Sequence, residues 1–141
     1  MSASTRAPVR APSRLLLPGL LAAAAASTVT AAAAALLRAA GTDYVVQGGE
    51  VVPVSGIAVV TGVSCLAGLA LAGLLSRWVS RPADRFLQVA TALTALSLVP
   101  PVVWADDVAT GAALVGLHLL AAAVMVPVLV RSLRALSPRA R

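Results

Sequence analysis

Very few residues in this chain carry acid–base or nucleophilic chemistry. There is one histidine, His118, and one cysteine, Cys65. Neither belongs to a catalytic pattern. No Ser–His–acid set is evident, no Cys-x-x-Cys supports thiol redox chemistry, and no Gly-rich loop cradles a phosphate. A single cysteine excludes an intrachain disulfide and a Cys-only metal site. A structural zinc site needs four ligands, which one histidine and one cysteine cannot supply. Haem held by two histidines would need a dimer. The reading is therefore a non-enzymatic protein with no metal and no cofactor.

His118 matters because of its surroundings. It lies near the middle of an apolar block of about 22 residues, and an ionisable side chain placed in hydrocarbon is a functional candidate by default. Three readings compete for it. A neutral imidazole can hydrogen-bond a hydroxyl or backbone carbonyl and act as packing glue. It can take part in passage of a ligand, ion or proton. It can also ligate a metal or haem. Cys65 reads as a small buried hydrophobe rather than a reactive thiol.

The composition explains why such a block exists. The chain of 141 residues is 60% hydrophobic and 11% charged, with a mean hydropathy of +0.95. Soluble domains are about 45–50% apolar and about 25% charged. The excess falls in four blocks, at about 15–37, 54–76, 86–104 and 109–130. Each can span the roughly 30 Å of bilayer hydrocarbon, and none contains Asp, Glu, Arg or Lys. Backbone in lipid must satisfy its own hydrogen bonds, so each block should be helical. The expected fold is all-α: an integral membrane, antiparallel up-down bundle of four transmembrane helices over residues 14–134. The tails 1–13 and 135–141 are basic, and the first reads as disordered.

Charge sets the expected orientation. The net charge of +6 comes from arginine alone. Ten of the eleven arginines lie in the two tails and in the 77–85 connection, which share one side if there are four crossings. Arg38 stands alone on the other side, with Asp43, Glu50, Asp106 and Asp107. The positive-inside rule then places both termini in the cytoplasm of a multi-pass cell membrane protein. The arginines suit anionic lipid headgroups, and nucleic acid is not an expected partner. A signal peptide is the competing reading of the N-terminus, with a mature chain starting near Ala32–Ala40. The first apolar block is longer than the roughly 7–15 residues of a signal core, so an uncleaved helix is expected.

Smaller features refine the bundle. The four aromatics, Tyr44, Trp78, Phe86 and Trp104, fall at span ends, and Trp78 and Trp104 read as interface anchors. Val-containing runs around Gly48-Gly49 suit either a small hairpin or an extended loop. Asp106 or Asp107 should cap the last helix. Pro100-Pro101 should kink the third span, and Pro127 should bend the fourth. The alanine-rich first span reads as packed on much of its surface. In the second, Thr61, Ser64, Cys65, Gly68 and Ala72 share a small, polar face, opposite Val59, Val63, Leu66, Ala70 and Leu74. Counting depth along the helices puts Thr28, Ser64, Cys65, Thr94 and His118 in one midplane polar layer.

The stretch Gly116-Leu117-His118-Leu119-Leu120-Ala121-Ala122-Ala123-Val124-Met125-Val126-Pro127 resembles the last helix of a family of small actinobacterial four-helix integral membrane proteins of unknown function. Val52-Pro53 and Pro100-Pro101 fit the same likeness, which runs from about Leu17 to Arg134. The resemblance implies a four-helix membrane fold and no activity. Two functions follow from the residues. One is a scaffold or subunit of a membrane complex, as a homo-oligomer or with a membrane-protein partner, because small-residue faces favour close helix contacts. The other is a small transporter or channel component whose path runs through the polar layer around His118.

Overall fold

The computed structural model describes residues 13–136. It contains α1 (Ser13–Ala39), β1 (Val45–Val46), β2 (Glu50–Val51), α2 (Val54–Trp78), α3 (Pro82–Ser97), α4 (Val99–Trp104) and α5 (Val108–Leu136). Four spans of 23 to 29 residues are long and apolar enough to cross a bilayer, with α3 and α4 together making the third. The expected tails lie outside the described residues, except where α1 begins at Ser13 and α5 runs on to Leu136.

The helices form a ring. α1 packs on α2 and α5, and α3 packs on α5 and α2. The short connections after α2 and α4 make the last three spans antiparallel neighbours. Two apolar clusters hold them. The larger joins Leu15, Ala22 and Ala26 of α1 to Leu69 and Ala72 of α2, Phe86 of α3, and Leu129 and Leu133 of α5. The smaller, near the hairpin, joins Ala34, Tyr44, Ile57 and Leu117.

Small residues explain how closely α1 approaches α2. A Cβ added at Gly19 would sit 2.4 Å from Leu69 Cδ1, and one at Gly62 would sit 3.2 Å from Ser27 Oγ. The contact is confined to a stripe. Leu15, Gly19, Ala22, Ala26, Thr30 and Ala34 are buried, at helical spacing, while Leu17, Leu21 and Leu36 are exposed. The expectation of a first helix packed over much of its surface is corrected accordingly: one face meets the bundle and the other is left for lipid.

The third span breaks at Leu98. Neither Pro100 nor Pro101 has an N–H to give the carbonyls one turn back, so the helix ends at Ser97 and restarts at Val99. Pro127, by contrast, lies within the continuous helix α5. The 40–53 connection is a hairpin, with Val45 paired to Val51 and Val46 to Glu50. Gly48 and Gly49, at φ +94° and +75°, make its turn. Its outer edge pairs with the corner between α4 and α5. Gln47 N–H donates to the Trp104 carbonyl at 2.8 Å, and Asp106 N–H donates to the Val45 carbonyl at 3.1 Å.

The aromatics divide. Trp78 and Trp104 are 80% and 56% exposed at the ends of α2 and α4. Tyr44 and Phe86 are buried, not at the surface. Tyr44 Oη donates to the Ala34 carbonyl at 2.9 Å, with its backbone in the left-handed region at φ +54°. Burial pushes the Tyr44 phenol above its ordinary pKa, partly opposed by the charge of Arg38.

Candidate functional site: a cavity between α2, α3 and α5

A cavity of about 1320 Å³ lies between α2, the α3–α4 span and α5. It forms because the third span meets the core mainly at its two ends. Phe86 and Ala83 are buried near the start of α3 and Pro101 is buried in α4. Between them Leu93 and Leu96 are exposed although both line the cavity. On the facing helix Val60 is likewise exposed and lines it. The cavity therefore opens sideways between α2 and α3, where hydrocarbon would surround the bundle. Val46, Gln47, Val52 and Trp104 line one end; Leu71, Phe86 and Leu129 line the other.

Four of the five residues expected in the midplane layer line this one cavity: Ser64, Cys65, Thr94 and His118. Thr28 does not. It is exposed on α1, which contributes no residue to the lining. Its place in the layer is corrected by the rotation of the helix: two residues on, Thr30 faces the core instead, 1% exposed, and its hydroxyl has no partner among the described residues. Thr61 and Ser97 also line the cavity. Thr61 belongs to the small, polar face of the second span, but depth does not mark either residue. Gln47 carried no signal, because its place depends on the hairpin docking beside α4, where its Nε2 donates to the Val103 carbonyl at 2.9 Å.

The lining holds no Asp, Glu, Arg or Lys. His118 Nδ1 lies 3.2 Å from the Leu114 carbonyl, one turn back on its own helix. Ser97 Oγ donates to the Thr94 carbonyl at 2.8 Å. Among the described residues no group of three His, Cys, Asp or Glu is placed to hold a metal ion. At the start of α5, Asp107 is the cap: its Oδ1 accepts from Thr110 N–H at 2.9 Å and its Oδ2 from the Thr110 hydroxyl at 2.7 Å. Those bonds hold its carboxyl below the ordinary carboxylate range.

Four apolar helices, three of them around a side-opening cavity, make this a small multi-pass membrane protein of the all-α class. The chain belongs to the family of unknown function DUF6069, which matches residues 10–135. No curated protein and no solved structure matches it.

Proposed function

We propose that this protein is a non-enzymatic membrane component that admits an apolar molecule from the bilayer into the cavity between α2, α3 and α5. The cavity carries the reading. Its volume of about 1320 Å³ is ample for a lipid-sized molecule, beyond the roughly 300–1,000 Å³ of typical small-molecule sites. Its walls are mostly apolar, with a few convergent polar groups, the usual make-up of a ligand site. No carboxylate lies beside His118 to tune it for acid–base work, which supports a binding role over an enzymatic one. This is the transporter- or channel-component reading made specific. The scaffold reading draws less support, because the small-residue faces behind it are used within the bundle: Ala22 and Ala26 of α1 and Ala72 of α2 lie in its core, and Thr61, Ser64, Cys65 and Gly68 of α2 line the cavity.

The same proposal includes the setting. Ten of eleven arginines on one side favour a cell membrane with both termini cytoplasmic, and the hairpin end of the cavity then faces outward. The basic inner surface suits anionic headgroups. Arginine without lysine, with abundant alanine, fits the actinobacterial source that the resemblance implies.

Extraction from native-host membranes tests the function. The protein would be purified in mild detergent and its bound lipids and small molecules compared with those of the bulk membrane. A Cβ at Gly68 meets nothing within 4 Å, and Gly68 lines the cavity, so Gly68→Trp blocks the space without entering the seam with α1. A molecule enriched in wild type and lost from Gly68→Trp is expected. Bulk membrane composition in both extracts would overturn the reading.

A further inference from the structure

His118 gives the middle of the cavity an acceptor. A carbonyl oxygen only accepts, so the 3.2 Å contact between His118 Nδ1 and the Leu114 carbonyl puts the proton on Nδ1. In the neutral ring Nε2 is then an acceptor, and no partner for it occurs among the described residues. The Ser97 hydroxyl has already given its proton to the Thr94 carbonyl. The hydroxyls of Thr61, Ser64 and Thr94 can turn either way and do not discriminate.

Position along the cavity adds an orientation. On α5 the lining runs from Leu114 to Leu129. His118 is about 6 Å along the helix from Leu114 and about 16 Å from Leu129, at about 1.5 Å per residue. Toward the hairpin, the lining includes Gln47, Ser97 and Trp104; toward the inner end, it is Gly68, Leu71, Phe86, Ala122, Met125 and Leu129, with no polar side chain among them. The polar part of an occupant therefore belongs near His118, with a long apolar tail below it.

We propose that the cavity recognises a long-chain lipid-soluble alcohol, whose terminal hydroxyl donates to His118 Nε2 and whose tail runs inward between Met125, Leu129 and Phe86. This rests on the reading of the cavity as a site for a bilayer-borne molecule. A hydroxyl carried into hydrocarbon without a partner is unfavourable, and Nε2 supplies that partner. An ether of the same length offers no proton and loses this bond.

The test uses the full chain in phosphatidylcholine nanodiscs. Hexadecanol with a photoreactive diazirine near the tail end is compared with its methyl ether at equal membrane fraction, and the labelled residues are mapped by mass spectrometry. The alcohol should label the inner cavity about fivefold more than the ether, the preference expected from one net hydrogen bond. His118→Leu should bring the ratio close to one. His118→Gln, which retains an acceptor, should keep more of the preference than His118→Leu. Equal cavity labelling by alcohol and ether in wild type overturns the donor assignment while leaving the cavity a binding site. No cavity labelling by either overturns both. A wild-type ratio retained in His118→Leu removes Nε2 from the recognition, and should either variant fail to fold, the wild-type ratio decides alone.

Discussion

The two sides of the bundle use helix contact in opposite ways. On the α1 side, glycine and alanine let the backbones approach until Leu69 sits where a Gly19 side chain would be. On the α3 side, the third span touches the core chiefly through Phe86, Ala83 and Pro101 and leaves its middle to line a cavity. The burial follows: 28% of the most apolar window of the first span is buried, against 11% for the third. In lipid there is little hydrophobic drive between helices, so close packing and hydrogen bonds must supply the cohesion. The α1 seam is built for cohesion. The α3 side gives some of it up in exchange for internal space.

The largest expected effect comes from breaking the α3 side at its inner end. Phe86 is the one large buried side chain of α3. Phe86→Ala should destabilise the protein by about 3 kcal/mol, the low end for such truncations, since lipid also solvates apolar groups. Unfolding from mild detergent into SDS would measure it. A cost below about 1 kcal/mol would mean that α3 is held elsewhere. The next effect contrasts one substitution at two glycines. Gly19→Leu drives a side chain into Leu69 and should cost about 2 kcal/mol, within the usual range for overpacking. Gly68→Leu enters open space and removes a helical glycine, so it should be neutral or stabilising by up to about 1 kcal/mol. Equal costs at both positions would erase the distinction between seam and cavity.

What the sequence made legible follows the same division. The faces of α2 could be read in part, because small and bulky residues alternate at helical spacing: Cys65 and Ala72 are buried while Val59, Val63, Leu66 and Leu74 are exposed, but Ser64 on the small face is exposed too, because that face lines the open cavity rather than a neighbouring helix. The four spans could be read from length and charge alone. The rotation of α1 could not, because runs of alanine look the same from every side. Thr28 and Thr30 differ by about 200° around a helix, and only contact with α2 and α5 decides which turns inward. Tyr44 was hidden for another reason. Its burial depends on a left-handed backbone and on the Ala34 carbonyl ten residues earlier. The cavity is least legible of all, since it is a distance between helices. The proline pair announced the break in the third span but not the space beside it.

The smallest expected effect lies at the outer corner, where the third span and α5 meet the hairpin. Asp107 caps α5, and the Thr110 amide and hydroxyl that donate to it favour its ionised form. A carboxyl whose pKa is lower folded than unfolded stabilises the fold above its unfolded value, near 3.9. That contribution is lost as pH falls through the lower folded value. The group is fully exposed, so water and salt screen the charge and the change should be small. Carbon-detected NMR titration in nanodiscs should find the Asp107 carboxyl titrating below the ordinary range, with the Thr110 amide shifting at the same midpoint. Asp107→Asn, which still caps, should abolish that amide titration while leaving α5 helical. An Asp107 that titrates at its ordinary value would mean the cap is open in the bilayer. The hairpin, tied to the neighbouring Asp106 N–H through the Val45 carbonyl, would then be looser over the cavity than the close seam on the α1 side.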